Sequence, residues 1–421
     1  MGVGAILEPL VVVSLLFGGA WFNRDRSSAA ASYAKSHRKV ASGGRAESPD
    51  SAEALLGTSA DEIPAYRLRK IQLFGWKKEL HTPNTALYED RLLSRVLRRY
   101  PFLAECWYWA LIYWVYQLGR ALTAVTLQQD TVDVARRHAL QLISVEQRLG
   151  MFIEPAVQRY FLQFPNLMKW INWLYSFIHI PGSIFFLAWL YWYCVTNNRL
   201  RDSSEVDASA PAGPWLFQAR RRTMAMCNML AFVIFTLWPC MPPRLLSDAH
   251  VQGAEGDLAR SFGFVDTVHG AEGAASVWTQ NRFCNQYAAM PSLHFGYSLM
   301  IGLTVLTLPL APTHGRTRSL YLPFLPRVRL PSLRRAACIA IGVLYPTIIL
   351  IAIVSTANHF VLDAVAGAAV CGLGWWSNGL LLNLLPLEDY FLRMVRIHKP
   401  QYVAAVEENL DEEPKDVYRP E

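Results

Sequence analysis

The stretch AAMPSLHFGYSLMIG, residues 288–302, sets Pro291, Ser292 and His294 in front of a long apolar run. Pro and Ser at that place are a helix-start signal. A histidine two residues further on would sit near a membrane face, where an ionisable group is a functional hypothesis by default. Working outward, 52% of the 421 residues are hydrophobic, 14 are Trp, and mean hydropathy is positive. That composition points to a membrane protein rather than to soluble domains. Seven runs approach the ~20 apolar residues that cross ~30 Å of hydrocarbon; they lie at about 3–22, 102–126, 171–194, 226–243, 295–312, 337–356 and 360–386. Trp and Tyr gather near their ends, as interfacial rings do.

The expected fold class is therefore all-α, a polytopic membrane protein with an N-terminal transmembrane anchor at 1–22 and a transmembrane domain at 101–390. Between them, 23–100 reads as a cytoplasmic and largely disordered linker, because AASYAKSHRKVASGGRAESPDSAEALLGTSADE is poor in large apolar side chains. The acidic ending reads as a solvated cytoplasmic tail over 391–421. The seven cysteines show no paired ligand spacing, so neither a zinc site nor a disulfide framework is indicated; Cys240 and Cys284 flank the polar segments and could meet. The +7 charge forms no basic patch interleaved with exposed aromatics, so no nucleic-acid partner is expected.

Positive residues in short loops set orientation. Arg199, Arg201 and Arg220–Arg222 in one loop, and Arg316, Arg318, Arg327, Arg329, Arg334 and Arg335 in another, place 195–225 and 313–336 in the cytoplasm. The loops 127–170 and 244–294 and the turn near 357 then face outside or the lumen. Three polar clusters distant in sequence emerge on that face: Arg244; Ser292 with His294; and His359 with Asp363.

Each has two readings. His359 and Asp363 stand four apart on one helical face, either as a satisfied polar pair or as a nucleophile whose tautomer a carboxylate fixes. Ser292 is a helix cap or a phosphate ligand at a helix N-terminus. His294 is an interfacial histidine or a general acid. Arg244 snorkels to headgroups or grips a phosphate with its planar fork. One chemistry uses the whole set, phosphoryl transfer through a phosphohistidine, and it calls for no metal and no cofactor.

PPRLL, NQYAAMPSLHFG and NHFVLDAVAG resemble the three motifs of the type-2 phosphatidic acid phosphatase superfamily, most closely the branch of fungal inositolphosphotransferases that make inositol phosphorylceramide. With HALQLISVEQRLGMFIEPAVQ and NWLYSFIHIPG the resemblance spans about 139–386. It implies a six-helix transmembrane core, His359 as nucleophile, Asp363 as its partner, His294 as acid and base, and Arg244 and Ser292 as phosphate ligands. Two basic residues of the broad superfamily pattern are replaced by Leu237 and Ile353, which favours the inositolphosphotransferase-like branch; Arg282 is a candidate for part of the missing charge. Asn172, Tyr175 and His179 share a helical face, with helix packing the favoured reading and contact with the substrate headgroup the other. Glu146, Arg148 and Glu154 read as solvated charges on an interfacial amphipathic helix.

The expected function is phosphotransfer or hydrolysis on a membrane lipid phosphoester at the non-cytoplasmic leaflet, with inositol phosphate transfer to a sphingolipid as the finer reading. The alternatives are a lipid or polyprenyl (di)phosphate phosphatase, and a non-catalytic scaffold or transporter. In a eukaryote the expected location is the Golgi or endoplasmic reticulum, with a luminal site.

Overall fold

The computed structural model describes residues 4–26, 64–73, 75–126, 130–197, 212–268, 286–311, 318–320 and 328–400. Residues 27–63 of the segment read as disordered, Arg282, Cys284 and residues 401–421 of the tail lie outside the described residues. The described helices are α1 (Gly4–Phe22), α2 (Leu92–Arg99), α3 (Phe102–Thr126), α4 (Asp130–Leu149), α5 (Glu154–Leu162), α6 (Pro165–Trp173), α7 (His179–Tyr191), α8 (Pro214–Leu237), α9 (Ala254–Ser261), α10 (Leu293–Leu306), α11 (Leu333–Ser355), α12 (Val361–Ser377) and α13 (Leu385–Met394). Two antiparallel hairpins qualify the all-α expectation: β1 (Tyr66–Leu73) with β2 (Trp76–Pro83), and β3 (Arg318–Leu320) with β4 (Val328–Leu330).

The chain divides into two compact units, one from the start to Gly19 with Cys106–Gly379, the other from Ala20–Glu105 with Leu380–Val403. The second unit corrects the linker reading of 23–100. Residues 66–83 form the hairpin and 92–99 a helix, and 380–403 belongs with them rather than with the transmembrane domain. The reason is a long-range one: Arg67 and Arg69 both grip Asp389, and Thr82 Oγ1 donates to the same carboxylate at 2.7 Å. No local signal in a charged strand shows that its partner stands more than three hundred residues away.

In the first unit α10 crosses α11 and α12 through glycines. A Cβ on Gly302 would stand 2.5 Å from the Gly342 carbonyl oxygen, and one on Gly296 would stand 2.9 Å from that of Gly367. Small residues let helix backbones approach where apolar surface gives no drive to associate. Apolar side chains meanwhile face outward: Ile341, Val343, Leu344, Ile348 and Ile351 on α11 are all exposed. This suits a hydrocarbon surround, which has no wish for polar groups.

Two described helical segments, Leu333–Ser355 and Val361–Met394, are long and apolar enough to cross a membrane, and a third joins them if Pro165–Phe177 and His179–Thr196, bent by 54°, form one span. Pro9–Phe22 and Leu293–Leu306 are shorter apolar helices. The protein is thus mostly helical, with two to three candidate spans among the described residues against the seven runs read from sequence.

Candidate active site

The site is assembled at one end of this unit by backbone bonds between three distant segments. After α8 the chain runs through WPCMPPRLL, where Cys240 N–H donates to the Tyr287 carbonyl at 2.8 Å and Ala289 N–H to the Cys240 carbonyl at 3.1 Å. Arg244 N–H donates to the Ala357 carbonyl at 2.8 Å, and Ser292 N–H to the Asp363 carbonyl at 2.9 Å. Beneath them lies an apolar floor that includes Leu142, Ile143, Met241, Leu246, Phe264 and Phe360. Buried backbone groups must find partners, so these bonds fix the three motifs against one another before any side chain acts.

His359 is buried, and its Nδ1 stands 2.8 Å from the Ala289 carbonyl oxygen and 3.5 Å from Asp363 Oδ2. A carbonyl only accepts, so Nδ1 carries the proton and the lone pair belongs to Nε2. Asp363, expected to hold this ring alone, shares the task with a backbone group. Its Oδ2 also accepts the Phe360 N–H at 2.9 Å, at the start of α12. The turn before it is strained: Ala357 takes φ 52° while fully buried, a conformation that costs an L-residue roughly 1–2 kcal/mol.

Arg244 is buried beside this turn. Its Nε donates to Asn358 Oδ1 at 2.8 Å and its Nη1 to Asp266 Oδ2 at 2.9 Å. Asn358 Nδ2 donates in turn to Thr356 Oγ1 at 2.7 Å. The guanidinium is thereby tied to the residue that precedes His359, and its fork is of the kind that can give a phosphate oxygen a charge-assisted bond. Ser292 is fully buried and caps α10, its Oγ accepting the Phe295 N–H at a long 3.4 Å.

His294 stands in the first turn of the same helix, its ring centroid 5.8 Å from that of His359. Its ring packs against those of Tyr175 at 4.4 Å and His179 at 4.3 Å, and His179 stacks on Tyr297 at 5.7 Å. The structure therefore brings together Arg244, Ser292, His294, His359 and Asp363, with Tyr175 and His179 packed against the second histidine. Asn172 goes elsewhere. Its Nδ2 donates to the Thr267 carbonyl at 2.9 Å, which helps pin the 264–268 loop that carries Asp266. Arg282 lies outside the described residues. Among those residues no group of three or more His, Cys, Asp and Glu could hold a metal ion.

Two residues overturn their sequence reading. Glu146 and Glu154 are fully buried rather than solvated, whereas Arg148 is exposed as expected. Glu146 Oε1 accepts the Leu362 N–H and Glu154 Oε1 the Val361 N–H, each at 2.8 Å. Helix amphipathicity put them at an interface, but the free amides at the start of α12, a strong pull for anions, are what they meet. Asp266 was likewise missed as part of the site, and Asn358 and the Ala289 carbonyl, although inside the quoted motifs, were given no role there, since their contacts run to distant segments.

No curated protein and no solved structure matches the chain. The PAP2 superfamily model matches residues 140–202, 212–324 and 329–377, more than half of the length. The match takes in every residue of the assembled site, from Glu146 to Asp363, and with it the chain belongs to the PAP2 superfamily.

Proposed function

We propose that this PAP2 superfamily member is a multi-pass phosphotransferase that moves a phosphoryl-bearing headgroup from a membrane lipid to a hydroxyl acceptor through a phosphohistidine. The His359 ring carries this reading. With Nδ1 bonded to the Ala289 carbonyl, Nε2 is the nucleophilic atom, and the His294 ring lies 5.8 Å away. Nε2 forms a P–N bond as the P–O bond to the leaving alcohol breaks, and His294 gives that oxygen its proton. The acceptor hydroxyl then attacks phosphorus, His294 takes its proton, and the P–N bond breaks. Arg244 and Ser292, with nearby amides, stabilise the equatorial oxygens where charge builds. Every nucleophile, acid, base and phosphate ligand that the protein must supply in these steps is one of its own side chains or amides, so the proposed chemistry is metal-independent.

Transfer of inositol phosphate to a sphingolipid is the finer proposal. The two replaced cations support it: Leu237 is exposed, and Ile353 is buried in an apolar cluster under the His359 turn. Neither place supplies extra positive charge to the phosphate. The proposed scaffold is a six-helix core with a luminal site in the Golgi or endoplasmic reticulum.

Purified protein incubated in EDTA with lipid phosphoesters, inositol phospholipid among them, with and without ceramide, tests this by product mass. A ceramide product carrying the headgroup is expected. Release of headgroup or phosphate to water alone would replace transfer with hydrolysis, and recovery of activity only on adding magnesium would remove the metal-independent route. For orientation, single cysteines replacing Ser203 and Gly315 should be shielded from an impermeant thiol reagent in right-side-out vesicles, while one replacing Glu255 should label.

A further inference from the structure

Glu146 on α4 and Glu154 at the start of α5 come from segments on either side of a tight turn, and both are buried behind the nucleophile. Three carboxylates serve three consecutive amides there: Asp363 takes Phe360 N–H, Glu154 takes Val361 N–H and Glu146 takes Leu362 N–H. The second oxygens, Glu146 Oε2 and Glu154 Oε2, are buried with no protein hydrogen-bond partner, as is Asp363 Oδ1. Among the described residues no cationic side chain forms an ion pair with either glutamate; the titratable groups that face Glu146 are Glu154, Asp363 and the buried Cys240 thiol, with His359 beyond Asp363.

Two adjacent carboxylates in a dry site do not both ionise; one keeps a proton, which then bridges them. Such a bridge satisfies both orphaned oxygens while leaving Oε1 of each glutamate to its helix amide. We propose that Glu146 and Glu154 are positioning residues, a carboxyl–carboxylate pair sharing one proton, whose clamp on the first turn of α12 sets His359 and Asp363 for attack. Burial, reinforced by the neighbouring Glu154 charge against the opposing Leu362 amide, lifts the Glu146 carboxyl to about 9. The sign follows: a group whose folded value is raised gives stability that is complete below its unfolded value near 4.5 and is lost as pH climbs through about 9. The clamp should therefore loosen on the alkaline side.

The pair makes an unusual substitution pattern. In Glu146→Gln or in Glu154→Gln, the amide oxygen still accepts from the helix and the NH2 donates to the remaining carboxylate, so either change alone should be tolerated. In the double variant two NH2 groups, which only donate, oppose each other with no acceptor between them, so the melting temperature should fall by on the order of 5 °C beyond the sum of the singles. Glu146→Ala removes the clamp on Leu362, and a displaced nucleophile costs about 10²-fold in kcat with KM little changed.

The activity arm rests on the proposed phosphotransfer; two others do not. Infrared spectra of the full-length protein in detergent should show a deuterium-sensitive carboxylic C=O band at neutral pH that disappears in each single Gln variant. The melting temperature of the wild type should fall as pH is raised toward 9, and that of each single Gln variant should not. Where the protein turns over, the single Gln variants should also lose the alkaline limb of the rate profile. Absence of the band, or additive single and double melting shifts, overturns the shared proton. Both physical signatures in a protein that transfers nothing would leave the pair standing and remove the phosphotransfer reading instead.

Discussion

Asp389 and the carboxylates around His359 are all buried, yet their surroundings differ in kind. In the unit built from the β1–β2 hairpin and α13, Asp389 receives the forks of Arg67 and Arg69 and the Thr82 hydroxyl, so that both of its oxygens are saturated by cations and a donor. In the other unit, Glu146, Glu154 and Asp363 each spend one oxygen on a helix amide and keep the other without a protein partner. A saturated carboxylate has no capacity left and serves as a tie between segments. An unsaturated one in a dry site keeps an unmet need for a donor, a condition met in active sites where charge must appear during a reaction.

The contrast is broken most severely at the unsaturated end. His359→Ala removes the atom that bonds phosphorus and should reduce single-turnover phosphoryl transfer to background. His294→Ala should slow attack on a natural lipid ester, whose alkoxide leaves poorly without a proton, by on the order of 10² to 10⁴-fold. On an aryl phosphate with a good leaving group the loss should be far smaller when the burst of aryl alcohol is followed. Equal losses on both substrates would strip His294 of the acid role.

At the saturated end, Asp389→Ala leaves two arginines facing a partly buried gap and should cost on the order of 2–3 kcal/mol of local stability, a figure kept low because both arginines reach solvent. Limited proteolysis of the hairpin should accelerate while single-turnover transfer stays near wild type. A parallel loss of catalysis would show that the two kinds of carboxylate are not separable in function.

Between these extremes lies the helix crossing that holds Ser292 against α12. A methyl group on Gly367 would meet the Ser292 carbonyl directly, with backbone rather than a flexible side chain in its way. Gly367→Ala should cost about 1–3 kcal/mol, read as a lowered melting temperature, and should slow transfer because the Ser292 cap shifts with the helix. The smallest effect is expected at Ala357, whose φ of 52° is strained for any residue but glycine. Ala357→Gly relieves that strain but frees the unfolded chain, so its net effect should stay within about 1 kcal/mol. Ala357→Val, branched at the same left-handed position, should be clearly destabilising.

Much of the site was legible because its members are marked locally. The Ser292–His294 pair stands at a helix start as its residue types indicate, and Asp363 lies in the first turn of α12, whereas His359, read as sharing a helical face with it, lies in the turn before the N-cap Phe360. Glu146 and Glu154 were misread for the same reason. Periodicity reports which face of a helix a residue occupies, and here the polar face is covered by amides from a segment more than two hundred residues away. The segment before residue 100 shows the same limit, since its strands are held by Asp389.

By itself, then, the sequence determined the helical and apolar character of the chain, the superfamily motifs and the identity of the two histidines, since these depend on residue type and short spacing. Only the tertiary structure decided the tautomer of His359, through a carbonyl seventy residues earlier, the burial of the glutamate pair against the α12 amides, and the second unit. Each of these depends on burial and on which backbone groups remain unpaired, properties that come into being when distant segments meet.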